Sequence, residues 1–178
     1  MQNEGNYKRF MAMVGTSTLI MLGLMYLNTY VIDHVFWSET RFYMAILMGA
    51  VMAVVMMSFM WGMYKDKTLN IAIFGGAVAV FALSLFLVRS QTTIDDASYM
   101  SAMIPHHSIA ILTSERAGIE DVRVRDLADG IIEAQRREIE EMKWLIQDID
   151  ENGVAETQDE ASHRPVPEFE PTQTATQN

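Results

Sequence analysis

Four side chains able to bind a soft metal ion stand within eight positions of one another, Met100, Met103, His106 and His107. Downstream come Glu138 and Met142, four residues apart. Thioethers need no deprotonation and are soft ligands, so together with imidazole they suit Cu(I) and, by the same softness, Ag(I). The chain has no Cys, which removes the usual thiolate sites of structural zinc. A di-iron carboxylate site needs Glu-x-x-His on its helices, and the chain has no such motif. Nor does it hold a Ser-His-Asp arrangement in a supporting context or a Gly-rich phosphate loop. A redox enzyme using bound metal would need open coordination and a substrate pocket, and the sequence displays neither. The expectation is a metal-binding protein that is not an enzyme.

Two helices must carry these residues. Thr93-Ile-Asp-Asp reads as a helix start, with Thr93 as N-cap and Asp96 at the capping-box position. That helix runs to Ala117, where Gly118 ends it. A second helix starts after Asp121 and runs to about Asp150, with Gly153 just beyond. The link is short, which favours an antiparallel hairpin. On the second helix Val124, Ala128, Ile131, Gln135, Glu138, Met142, Leu145 and Ile149 recur at alternating spacings of four and three, which is a packing seam. The corresponding series on the first helix is Asp96, Met100, Met103, His107, Ala110, Ser114 and Ala117. In an idealised register His107 faces Gln135, Met103 faces Glu138 and Met100 faces Met142. The unusual seam residues thus fall at one level, and the expected metal set is Met100, Met103, His106, His107, Glu138 and Met142. Pro105 removes the bond to the Ser101 carbonyl and kinks the helix, or starts a new one. His106 lies about 100° round the helix from His107 and points toward a third element. The plainer alternative is that the methionines fill a core and the two histidines are interfacial polar residues.

The rest of the chain places this hairpin. Residues 1–88 carry a formal charge of +1, whereas residues 89–178 carry −11. The acidity excludes nucleic acid as a partner, because it repels phosphates. Residues 10–32, 42–64 and 68–88 contain no charged side chain, and about 20 apolar residues suffice to span a bilayer. Tyr26, Tyr30, Phe42, Tyr43, Trp61 and Tyr64 lie near their ends, as expected at headgroup level. As buried helices of a soluble protein they would lack enough chain to cover them. The first run exceeds a signal core and no small-x-small cleavage pattern follows it, so it reads as an uncleaved span. Lys8 and Arg9 before the first span, with Lys65 and Lys67 between the second and third, put the N-terminus in the cytoplasm and the acidic half outside. The expected location is a bacterial inner (plasma) membrane with a periplasmic or extracellular C-terminal domain. Absence of Cys is compatible with an oxidising exterior.

The expected fold is therefore all-α: a membrane domain over residues 1–88, an exported hairpin over 89–150, and an acidic tail over 151–178. The tail is mostly Glu, Gln, Thr, Pro and Ala, which predicts disorder, and its His163 reads as a solvated residue. A two-helix unit this small buries too little apolar surface to stand alone. It needs the membrane domain or a second copy, and a homodimer through the hairpin would make a four-helix bundle. Met44, Met48, Met52, Met56 and Met60 recur along the second span, with Met57 and Met63 beside them. Adaptable packing explains this better than a copper relay, and the spans carry no ionisable residue for ion transport. His34, in the connection between the first two spans, reads as an interfacial polar residue.

The run Met-Ile-Pro-His-His at residues 103–107, continued by Ser-Ile-Ala-Ile, resembles the signature of the domain-of-unknown-function family numbered 305. Residues 131–145, Ile-Ile-Glu-Ala-Gln-Arg-Arg-Glu-Ile-Glu-Glu-Met-Lys-Trp-Leu, resemble its second signature. The resemblance covers roughly residues 95–149 and implies a ferritin-like helical fold, often exported, with copper or silver binding and tolerance. It implies ligand roles for Met103, His106, His107 and Met142. Family members often carry a further Met six residues after the second His, where this chain has Thr113, and many have a longer helical domain. The function expected is a membrane-tethered exported module that buffers, delivers or confers tolerance to Cu(I) or Ag(I). The alternative is a structural or accessory subunit of a larger membrane complex. The expected partners are the lipid bilayer, a second copy, and a membrane-complex or copper-recipient protein.

Overall fold

A computed structural model describes residues 2–170, so residues 171–178 of the expected disordered tail lie outside the described residues. The described residues form six α-helices: α1 (Gln2–Leu24), α2 (Glu39–Met60), α3 (Lys67–Ser90), α4 (Asp96–Arg116), α5 (Val122–Asn152) and α6 (Gln158–His163). No strand occurs among them, and the all-α class read from the sequence is the class found. The chain divides into two compact units. One comprises Glu39–Ile94 with the residues before Asn28; the other comprises Asn28–Ser38 with the chain from Asp95 onward.

In the first unit two helices are long and apolar enough to cross a membrane, over Glu39–Met63 and Lys67–Ser90. The expected first span over 10–32 is different. Its helix is Gln2–Leu24, so the charge-free helical part, residues 10–24, rises only about 22 Å against a hydrocarbon core of about 30 Å. The physical reason is that residues 28–32 belong to the second unit, where Tyr30 is packed into a core. α2 packs on both α1 and α3. Gly49 makes the α1–α2 approach possible, because a Cβ there would collide with Thr18 Oγ1. Phe10 and Met57 are fully buried, and Met56 and Met60 pack against the same cluster. These α2 methionines fill a core, as adaptable side chains do. Buried Asn70 is satisfied at both ends: Tyr7 OH donates to its Oδ1 at 2.6 Å, and its Nδ2 donates to the Tyr64 carbonyl at 3.2 Å.

The second unit is built on the α4–α5 hairpin. The N-cap of α4 is Asp95, which accepts the Ser98 N–H at 2.7 Å, and this corrects the expectation of Thr93. Thr93 is still in the turn after α3, its hydroxyl 3.0 Å from Tyr43 OH. Asp121 caps α5, and Gly153 ends it at a φ of 78°, a backbone state that suits glycine. α4 continues unbroken through Pro105, so Pro105 does not begin a new helix.

The buried stripe of this hairpin is rotated from the seam read off the sequence. On α4 the buried residues are Met100, Ile104, Pro105, Ser108 and Ile111. On α5 Ala128 and Ile139 are buried while Val124 and Ile131 stand exposed. A third layer explains the rotation. Segment Asn28–Ser38, with a 3₁₀ turn at Ile32–His34, lays Tyr30 and Phe36 against Ile104, Ile111 and Ile139. Each fully buried isoleucine stabilises the unit by about 1.5–3 kcal/mol. Three polar contacts fasten the layer. Tyr30 N–H donates to Ser108 Oγ at 2.7 Å, His34 Nδ1 lies 3.0 Å from the same oxygen, and Lys143 Nζ donates to Asp33 Oδ2 at 2.5 Å. Ser108 Oγ accepts from Tyr30 and has both a proton and a second lone pair left for His34 Nδ1, so donor and acceptor in that contact follow the His34 tautomer.

Candidate metal centre

The six residues singled out by the sequence all lie on the facing helices of the hairpin, and four of them form two pairs. Met100, buried, and Met142, half-buried, line one cavity of about 490 Å³. His107 and Glu138 form the second pair, with His107 Nδ1 3.1 Å from Glu138 Oε2. The expected register put His107 opposite Gln135; instead it faces Glu138, and Gln135 Nε2 reaches the same carboxylate oxygen at 3.5 Å. His106 is exposed, its ring centroid 6.0 Å from that of His107. The third layer packs over Ile104 and Ser108, so His106 does not turn toward it. Met103 is half-buried and does not line the thioether cavity.

The His107–Glu138 contact is close in distance yet misaligned. Nδ1 is buried and makes no hydrogen bond, although the carboxylate oxygen is within reach. Burial pushes the His107 imidazole below its ordinary value, the neighbouring His106 adds to this, and the Glu138 charge opposes it. A neutral ring with an unsatisfied buried nitrogen is the form of histidine that binds a metal. Among the described residues no group of three or more His, Cys, Asp or Glu side chains could hold a metal ion. A site here depends on thioether sulfur. In donor chemistry Met100, Met142 and His107 fit a soft monovalent ion, and Glu138 supplies a compensating charge.

A structural element that sequence reading overlooked covers the thioether cavity. After Gly153 the chain turns back, and Val154, Ala161, Arg164 and Val166 form the cavity's outer wall. Arg164 Nη1 donates to Asp148 Oδ2 at 2.8 Å, and both Nη1 and Nη2 reach the Gly153 carbonyl at 3.2 Å. α6 within this segment has a Thr157-x-x-Glu160 start: Thr157 Oγ1 accepts the Glu160 N–H at 3.2 Å, and Glu160 Oε2 accepts the Glu156 N–H at 2.8 Å. That spacing is a helix-start signature legible in the sequence. His163 is exposed on α6, with Nδ1 2.7 Å from the Asp159 carbonyl.

The family described as "Domain of unknown function (DUF305)" matches residues 96–177. The uncharacterized protein L153 of Acanthamoeba polyphaga mimivirus is 33% identical over 110 residues, covering 59% of this chain and 68% of that protein. The chain belongs to the DUF305 family. No solved structure matches it. The DUF305 match extends well past the hairpin, and so it includes α6 and the Arg164 segment together with Met100, His107 and Met142. It leaves out residues 28–38, the layer that fastens onto Ser108 and Lys143.

Proposed function

We propose that this DUF305 protein is a membrane-tethered, exported module that holds Cu(I) or Ag(I) on the α4–α5 hairpin, for buffering, delivery or tolerance, without catalysing a reaction. The observation that carries this reading is the buried Nδ1 of His107, which lacks a hydrogen bond while lying 3.1 Å from Glu138. A buried polar atom left without a partner is costly, and a bound cation would relieve it. Two soft sulfurs, Met100 and Met142, share a cavity on the same helix pair. Met103 and exposed His106 are the additional donors on α4 that could engage an arriving ion.

The tether is the pair of apolar helices at Glu39–Met63 and Lys67–Ser90, with α1, whose 23 residues rise about 34 Å in all, as the third crossing. Lys8 and Arg9, with Lys65 and Lys67, favour a cytoplasmic N-terminus and an exported hairpin on a bacterial plasma membrane. Val124, Leu127 and Ile131, exposed along α5, offer a second copy its contact surface.

The test is an anaerobic Cu(I) titration of the detergent-purified protein against a competing chelator, beside the double variant Met103→Ala/His107→Ala. Stoichiometric binding lost in the variant, with helical content retained, is the expected result. If the variant binds as well as the native protein, the site is misplaced. If neither binds and stoichiometric companion proteins persist through purification in mild detergent, the accessory-subunit reading replaces this one.

A further inference from the structure

We propose that residues 153–166 form a strap that gates access to the Met100–Met142 pair and opens at the Arg164–Asp148 contact. The proposal deepens the soft-metal reading above and rests on it for the identity of the cargo. The sequence reads this segment as tail, yet Val154, Ala161, Arg164 and Val166 line the thioether cavity together with Met100 and Met142. Met100 is only 7% exposed, so a metal ion or an oxidant reaches its sulfur only if something moves.

The strap is the element suited to move. Met100 and Met142 are held on α4 and α5, helices that share the buried Ile104–Ile139 core. The strap itself is lightly packed, since Val154 is 53% and Val166 42% exposed. Its polar fastening is concentrated in one side chain: Arg164 holds Asp148 on α5 and, through the Gly153 carbonyl, the strap's own beginning. A segment with few buried apolar contacts opens at low free energy. The pivot is Gly153, whose φ of 78° suits a residue without a Cβ. The capping bonds of α6, made by Thr157 and Glu160, lie wholly within the segment, so release of Arg164 does not itself break them. Opening therefore exposes both sulfurs together and leaves the hairpin intact.

The experiment uses the full chain in detergent and the variants Arg164→Ala, Arg164→Lys and Asp148→Asn. The first readout is the rate at which dilute peroxide oxidises each methionine, followed by peptide mass spectrometry, with free methionine in the same reaction as internal reference. Arg164→Ala and Asp148→Asn should oxidise Met100 and Met142 about fivefold faster, the change expected when a half-buried ion pair is removed from an opening equilibrium. The rate for free methionine should not change, circular dichroism should show unchanged helix, and Arg164→Lys should restore much of the protection. Equal oxidation rates in native and variant proteins would overturn the strap. The second readout is Ag(I) loading, which should accelerate in the same variants. Accelerated oxidation with no Ag(I) bound by any form would retain the strap as a cover and overturn the soft-metal reading.

Discussion

Ser108 Oγ accepts the backbone N–H of Tyr30 at 2.7 Å, a bond between residues 78 positions apart. Ser108 is fully buried and its hydroxyl also meets His34 Nδ1, so one small side chain on α4 fastens the 28–38 layer at two points. Replacing it with alanine removes a buried hydrogen-bonding group and should destabilise the second unit by about 1–3 kcal/mol. Lys143→Ala breaks the Asp33 contact as well, but Asp33 is 79% exposed, and such a pair contributes at most about 1 kcal/mol. Thermal unfolding of the two variants side by side measures the ranking. A larger loss from Lys143→Ala would mean that charge, and not the buried serine, holds this layer.

Ile139 is 1% exposed, whereas Ile131, eight residues earlier on the same helix, is 36% exposed. Truncating Ile139 to alanine should cost about 2–5 kcal/mol. Ile131→Ala should stay near 1 kcal/mol or below in the monomer. Denaturant midpoints decide the matter, and equal costs would place the buried stripe where the heptad spacing alone puts it.

The hairpin should lose stability in mild acid. Burial pushes the His34 imidazole below its ordinary 6.5, the Lys143 ammonium adds to this, and Asp33 and Glu140 oppose it. Arg136 lines the same cleft. His107 moves in the same direction. The unfolded chain then takes up protons at a higher pH than the folded one, so this stability is complete above 6.5 and falls as pH drops toward the folded values. Lys143 behaves oppositely: burial alone would lower it, yet the Asp33 and Glu140 contacts outweigh that and raise it above 10.5. Its contribution holds below 10.5 and is lost as pH rises through the folded value. Melting temperature should therefore be level between these limits and lower at about pH 5. His34→Gln should shrink the acid-side drop, and an unchanged drop would remove His34 from the account.

Gly49→Ala should separate α1 from α2. The added Cβ meets Thr18 Oγ1, which is committed to the Val14 carbonyl at 2.8 Å. Overpacking of this kind costs about 1–3 kcal/mol. Adding Thr18→Ala should restore much of the loss, and a double variant as unstable as the single one would show that the two residues are not coupled.

Much of the helical layout was legible in the sequence because punctuation is local. Charge-free runs delimit α2 and α3, and Asp121 and Gly153 mark the ends of α5. The pairing of Met100 with Met142 also follows from hairpin geometry. What local rules could not supply was the partner on the third side. Heptad spacing assumes that a helix meets one neighbour, but Tyr30 and Phe36 draw Ile104 and Ile111 inward and leave Val124 and Ile131 outside. The same long-range attachment cuts α1 off at Leu24, a boundary that no residue at that point announces. The strap was different: Thr157 and Glu160 do signal a helix start, and the acidic composition around them concealed it.

The second unit is assembled from two pieces of chain, Asn28–Ser38 and everything from Asp95, with α2 and α3 strung between them. If both of those helices cross a bilayer, the pieces can meet only when the chain crosses out and back, an even number of passages. An insertion error in either helix would strand Tyr30 and Ser108 on opposite faces of the membrane. Where both helices span, the second unit can close only after both have crossed, because a chain threaded otherwise cannot bury Ile104, Ile111 and Ile139 beneath Tyr30 and Phe36.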